Sequence, residues 1–248
     1  MRLEGIPTLE ELEAAVQRCP ADAAAWRCLA CSIHTMAAVD YRTALLKHLL
    51  RLAPDDAQAH QQLGMQLVSE GRCQEAIAHM HEAARLDQEN PGLSAYYLGY
   101  ASHRAGDLDA AIRHFRNAVE LDPGFVLALQ KLAQVLCANE RPKEAIPVLE
   151  RALVGRFQSA PLWDQLGEAH ASAGDHHRAV QAYRLSLRFN ATRAAVHYRL
   201  GVSFAWLGQL DEARAAFEES VRLDPMQDDA ILFLLEIAIQ QRPKRRLP

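Results

Sequence analysis

Aromatic residues are scarce in this chain of 248 residues: phenylalanine, tyrosine and tryptophan together make up 6% of it. Proline (11) and glycine (12) are few as well. This scarcity argues against an all-β sandwich or barrel, which needs aromatic and β-branched strands punctuated by many turns. No long hydrophobic run occurs. The longest, Ile231 to Ile239, is broken by Glu236 and reaches about half of the roughly 20 residues a membrane-spanning helix needs. The opening Met1-Arg2-Leu3-Glu4-Gly5-Ile6-Pro7 lacks the apolar core of a signal peptide. Five cysteines, an odd number scattered along the chain, exclude a disulfide scaffold and suit reduced, mostly buried thiols in a cytoplasmic protein. A strong charge of one sign is missing too: the formal net charge of −4 gives no general pull toward nucleic acid or acidic membrane. What is present is 50% hydrophobic residues, led by alanine, and 23% charged ones, a composition of closely packed helices around a core.

A repeat organises those residues. Leu-Gly pairs end at Gly64, Gly99, Gly167 and Gly201, spaced 35, 68 and 34 residues apart. Gly71, Gly106, Gly174 and Gly208 follow at a constant offset, then Ala76, Ala111, Ala179 and Ala213, then Met80, Phe115, Tyr183 and Phe217. The missing member is filled by Ala133, Glu140, Ala145 and Leu149. Each position has a physical reading. The first Gly, or Ala133, lets a neighbouring helix come close, and the second takes a positive φ and ends the first helix. The small Ala marks the helix crossing, and the large residue one turn on fills the gap beside it. Leu121-Asp122-Pro123 and Leu223-Asp224-Pro225 close second helices.

This pattern resembles that of the tetratricopeptide repeat (TPR) family, W-x₂-L-G-x₂-Y…A-x₃-F…P. The resemblance implies an all-α fold, an α-solenoid of tandem helix-turn-helix repeats winding into a right-handed superhelix. Six repeats are expected, at 23–56, 57–91, 92–125, 126–159, 160–193 and 194–227, making up the region 23–227. The first has Ala37 where the inter-helix Gly belongs. The fourth has Asn139-Glu140 there, with Asn expected to tolerate the positive φ, and Pro142 suited to a first helical turn.

Residues 1–22 read as an N-terminal half repeat whose helix, over 8–19, is opened by the capping box Thr8-Leu9-Glu10-Glu11. A capping helix is expected over 228–241, followed by a basic tail at 242–248. The capping helix is apolar on nearly every side, which calls for burial all round. A stripe of Ile231, Leu234, Leu235 and Ala238 is expected to pack on the last repeat, leaving Leu232, Phe233, Ile237 and Ile239 as an association face for a homodimer.

Chemistry is hard to find. Cys28-x₂-Cys31-x₂-His34 lacks a fourth ligand and a second pair at zinc spacing, so its cysteines read as small helix-packing residues. His79 and His81 are two apart and do not face each other on a helix, and His176-His177 reads as a solvated pair. No phosphate loop, nucleophile elbow or zinc-protease helix occurs, so neither a cofactor, a metal site nor an enzyme is expected. The regularly placed base-reading side chains of RNA-binding repeats are absent, which excludes nucleic acid as the expected partner.

The resemblance implies that the first helices line a concave groove that takes a peptide or helix of a partner protein. The residues expected to face it are Arg27, Gln61, Met65, Tyr96, Tyr100, Gln130, Gln134, Asp164, Glu168 and Tyr198, together with Cys31 and Val202. Gln62, Tyr97, Lys131, Gln165 and Arg199 lie beside them. The pairs Arg27/Cys31 and Gln61/Met65 do not reproduce the Lys/Asn clamp of chaperone-binding members, and no ladder of Asn precedes the Leu-Gly pairs. The array is also twice as long as that of the three-repeat secretion chaperones. The expected function is therefore a non-enzymatic adaptor, with an accessory subunit of a separate enzyme, docked through the last helix, as the alternative.

Overall fold

The computed structural model describes residues 14, 17–19, 22–32 and 39–240, with the backbone alone for 30–32, 39–41 and 237–240. The rest of the expected half repeat, the turn at Ala37 and the basic tail at 242–248 lie outside the described residues, as do the side chains of Cys31, Ile237 and Ile239. Thirteen helices and no strand occur among the described residues. They are α1 (Ala23–Ser32), α2 (Val39–Leu52), α3 (Ala57–Ser69), α4 (Cys73–Leu86), α5 (Pro91–Arg104), α6 (Leu108–Leu121) and α7 (Val126–Ala138). There follow α8 (Pro142–Leu153), α9 (Ala160–Ser172), α10 (His176–Phe189), α11 (Ala194–Trp206), α12 (Leu210–Leu223) and α13 (Asp228–Gln240). The chain divides into two compact units, Met1–Ala128 and Leu129–Pro248, with the boundary inside α7. Within each unit the helices that pack together are mainly neighbours in sequence, and alternate first helices (α3 with α5, α9 with α11) also touch. That is the arrangement of a tandem array of helical hairpins.

The hairpins close by one device. Gly174 (φ 83°) donates its N–H to Ala171 O at 3.0 Å, and Asp175 N–H reaches His170 O at 2.9 Å, satisfying two orphan carbonyls of α9. Gly71, Gly106 and Gly208 repeat it. Between α7 and α8 the left-handed residue is Glu140 (φ 56°), not Asn139 as the sequence suggests. The bond lengths explain the choice: Glu140 N–H bonds Cys137 O at 3.1 Å and Arg141 N–H bonds Leu136 O at 2.8 Å, the same register as the glycine turns. Hydrogen-bond register decides the position, and local tolerance yields to it. Pro142 stands at the start of α8 as expected. Asp56, Asp107 and Asp175 cap α3, α6 and α10 by accepting the N–H of Ala59, Ala110 and Arg178.

Inside each hairpin the Leu-Gly glycine lies flat against the large side chain of the second helix. A Cβ at Gly64 would stand 2.7 Å from Met80 Cε, at Gly99 2.7 Å from Phe115 Cδ1, at Gly167 2.5 Å from Tyr183 Cε1 and at Gly201 2.7 Å from Phe217 Cε1. These are below any real contact. The α7/α8 hairpin carries Ala133 at that position and Leu149 at the offset of the aromatic; both are buried and border the same cleft. Two buried serines add a further tie, Ser186 Oγ donating to Ala160 O (2.8 Å) and Ser220 Oγ to Ala194 O (2.9 Å).

The junctions between hairpins are tied as well. A ring N–H on a first helix donates to the loop carbonyl six residues earlier at His60 (to Pro54 O, 2.9 Å), Trp163 (to Phe157 O, 2.6 Å) and His197 (to Ala191 O, 3.0 Å). α13 covers the last hairpin with a different stripe from the one expected. Ala230 is fully buried, Phe233 stacks on Phe217 (centroids 5.1 Å, planes 8° apart), and Leu234 packs beside it. Phe233 is therefore an inward residue, whereas Leu235 joins Leu232 outside, at 56% and 57% exposure. The small Ala230 sets the closest approach, which turns 233 and 234 inward. A helix apolar on all sides gives no periodic signal from which to read that rotation.

Candidate interaction face

The expected groove residues divide between the two units, and each unit brings some of its own together. In the first unit Gln61, Gln62 and Met65 of α3 and Tyr97 of α5 line one cleft of about 400 Å³. Arg42 of α2, with Gln66 and Ser69 of α3, completes it. Sequence reasoning missed these three because it took only first-helix residues beside the Leu-Gly pairs. In the second unit Gln134, Gln165, Glu168 and Arg199 line a cleft of about 240 Å³ with Ala133, Cys137 and Leu149. Lys131 Nζ donates to Gln134 Oε1 at 3.2 Å beside it. Gln130 is half-buried on α7 and lines neither cleft.

Other expected face residues are consumed by the fold. Asp164, expected to meet a partner as an acidic step, is only 5% exposed. Arg199 Nη1 donates to both its oxygens (2.8 and 3.0 Å) and Arg193 Nη2 to one of them (2.9 Å). Burying a carboxylate is costly unless it is paired, and the two guanidinium groups supply the pairing that lets Asp164 leave solvent. Burial opposes the Arg199 charge, but Asp164 and Glu168 outweigh it and raise the guanidinium pKa. Arg27 likewise binds Asp56 through Nε (2.7 Å) and Nη2 (2.5 Å). Tyr96 sits among Tyr97, Phe115 and Phe125, with ring centroids 5.1–5.6 Å away, and burial pushes its phenol pKa up. Tyr100 packs against the core formed by α3 and its neighbours, and Tyr198 lies near Phe217 and Phe233.

A rule connects these cases. Arg27 meets Asp56, Gln61 shares a cleft with Asn90, Tyr96 meets Phe125 and Asp164 meets Arg193, always 29 residues on. The second partner stands at the entry to the next first helix, so one junction position is filled by an ion pair, amides, aromatics and a reversed ion pair. Complementarity at that spacing was readable in the sequence, had the spacing been known.

Reactive groups on this face are muted. Burial, then the charge of Glu168, raises the Cys137 thiol to about 11, so the thiolate needed of a nucleophile is negligible at neutral pH. Cys19 and Cys28 are exposed rather than packed, and Cys73 is half-buried. His79 bonds His60 (Nδ1 to Nδ1, 3.0 Å), not His81, which faces His114. Since His60 Nε2–H is given to Pro54, His60 Nδ1 accepts and His79 donates. Of the pair His176-His177, His177 is exposed, whereas His176 is half-buried and stacks on Trp206 (centroids 5.4 Å, planes 5° apart). Among the described residues no group of three or more His, Cys, Asp or Glu could hold a metal ion, and no helix is long and apolar enough to cross a membrane.

Helical hairpins locked by glycine against an aromatic, closed by a left-handed residue and repeated in tandem define an all-α repeat scaffold of the TPR solenoid class. Four tetratricopeptide repeat models match the chain, at residues 62–124, 102–167, 160–193 and 194–226, and the chain belongs to that family. Among curated proteins it is 28% identical over 181 residues to the peroxisomal targeting signal receptor of Candida albicans, covering 68% of this chain and 30% of the receptor. It is 33% identical over 115 residues to the uncharacterized protein y4yS of Sinorhizobium fredii, covering 44% of this chain and 60% of that one. The chain thus spans less than two thirds of both relatives. Among solved structures, that of MamA 41-end from Desulfovibrio magneticus RS-1 superposes with a TM-score of 0.64 at 23% identity, over 69% of this chain and 97% of that fragment.

Proposed function

We propose that the chain is a non-enzymatic adaptor that binds a peptide or helix of a partner protein on the face formed by its first helices. One observation carries this reading: Gln61, Gln62, Met65 and Tyr97, from two successive first helices, meet in a single cleft. Amides offer paired donors and acceptors to a peptide backbone, and Met65 and Tyr97 offer apolar area at low entropic cost. The family membership agrees with it, and a curated relative is by name a targeting signal receptor. Neither nucleic acid nor a cofactor enters this reading. The protein acts in the cytoplasm. Affinity capture with the full chain, compared with Tyr97→Ala/Met65→Ala, tests it. Partners held by the face are lost from the variant while its helical circular dichroism is unchanged, and retention of every partner sinks the proposal.

A second reading concerns α13, where the outward Leu232 and Leu235 favour a contact with another chain. The contact is homodimeric in this reading. Docking on a separately encoded enzyme, as an accessory subunit, is the alternative use of the same helix.

A further inference from the structure

We infer that the cleft of the first unit is a carboxylate-binding site, which takes an aspartate or glutamate side chain within the partner peptide. The inference rests on the adaptor reading and adds the chemistry of the ligand. Its anchor is Arg42, half-buried on α2, whose Nε is shut off from solvent and has no hydrogen-bond partner. No carboxylate among the described residues pairs with its guanidinium. Glu70, at the end of α3, is already engaged by Thr43 Oγ1 (2.6 Å), Gln66 Nε2 (3.4 Å) and Arg72 Nη1 (3.2 Å). By contrast, Arg27, Arg193 and Arg199 each hold a buried carboxylate of the chain itself.

A guanidinium that lines a cleft without an acidic partner attracts a carboxylate, and once the side chain turns its closed-off Nε toward the cleft the carboxylate matches its planar fork of donors. The walls add no competing charge: beyond Arg42 the cleft is lined by amides, Ser69, Met65 and Tyr97, with no acidic residue. The second unit differs, since its cleft contains Glu168 beside Arg199. Of these two clefts, the first is the one whose guanidinium faces no acidic wall. A side chain fits better than a chain terminus. Gln61 makes no hydrogen bond to the described residues, which leaves its amide for a backbone that continues past the acid, and Met65 and Tyr97 give an apolar neighbour of that acid a surface.

The test is selection from a random dodecapeptide library displayed as an internal segment, panned on the full chain and on Arg42→Gln, Arg42→Lys and Tyr97→Ala. Wild type is expected to enrich Asp or Glu at one position next to an apolar residue. Arg42→Gln loses the acid but keeps the apolar preference, and Arg42→Lys keeps part of both. A selected peptide resynthesised with the amide in place of the acid binds wild type about tenfold more weakly or worse, and binds Arg42→Gln unchanged. Equal enrichment of acid on wild type and Arg42→Gln overturns the carboxylate assignment while leaving the adaptor reading intact. Arg42-dependent enrichment confined to a parallel library with free C termini overturns the side-chain source. Failure to enrich any peptide that depends on Tyr97 overturns the adaptor reading and this inference with it.

Discussion

Replacing Gly99 with alanine puts a methyl carbon 2.7 Å from Phe115 Cδ1, 2.8 Å from Cε1 and 2.9 Å from Cγ. Carbon atoms settle about 3.5–4.0 Å apart, so the ring must retreat by roughly 1 Å. Phe115 is fully buried, so its ring moves only against packed neighbours. Overpacking of that kind costs about 1–3 kcal/mol, against which the better helix propensity of alanine returns roughly 1 kcal/mol. Phe115→Leu alone removes buried ring atoms and costs about 1–2 kcal/mol. The double variant, however, recreates the Ala133/Leu149 pair that the α7/α8 hairpin already uses. It is expected to be more stable than the sum of its parts by about 1 kcal/mol or more, outside the roughly 0.3–0.5 kcal/mol scatter of independent changes. Urea unfolding followed at 222 nm, with midpoints compared at constant slope, measures the coupling. Additive effects would refute the claim that the two positions share one volume.

Glu140→Gly is expected to stabilise by about 0.5–1 kcal/mol, the cost of a left-handed glutamate less the chain entropy of glycine, and a lower melting temperature would contradict this. Asp164→Asn strands Arg193 and Arg199 in a half-buried site and is expected to cost about 1–3 kcal/mol, discounted for the partial exposure of both arginines; an unchanged urea midpoint would count against the pairing. His79 and His114 are held below the ordinary histidine value of 6.5 by burial, then by the charges of His60 and His81. Their neutral forms are favoured in the fold, so their contribution is full above pH 6.5 and is lost as pH falls through the lowered values. Melts between pH 8 and 5 should show that decline, and it should be smaller in His79→Gln. Light scattering at tens of micromolar should find a dimer that Leu232→Glu/Leu235→Glu dissociates, and a monomeric wild type would remove the homodimer reading.

How much of this was legible depended on sequence distance. The glycines at 64, 99, 167 and 201 and the large residues that meet them were readable, because a steric rule repeated at fixed offsets leaves a period. So were Pro142 and the apolar excess of α13. Asp164 was not: its partners lie 29 and 35 residues on, and a lone acid on a helix face looks the same whether it meets solvent or two arginines. Glu140 stood at the glycine offset, but the positive φ was assigned to Asn139 beside it, because residue preference was set above hydrogen-bond register. Arg42 was missed because it reaches the cleft from a second helix, a geometry that no local pattern encodes. The rotation of α13 was hidden by its uniform apolarity, with Ala230 as the small residue that fixes it.

The 29-residue junction has a consequence for how such an array can change over generations. If every hairpin met the next through the same contact, hairpins could be duplicated, deleted or shuffled as equivalent parts. Here they cannot. Splicing the hairpin that ends a junction with Arg27 onto the segment that begins with Arg193 would set guanidinium against guanidinium, and joining Asp164 to Asp56 would set two acids together. Tyr96 against either charge would strand an ion beside a ring. The charged and aromatic junction residues therefore act as an address that opposes exchange of these hairpins, and the chain can diversify its exposed face while that arrangement is kept.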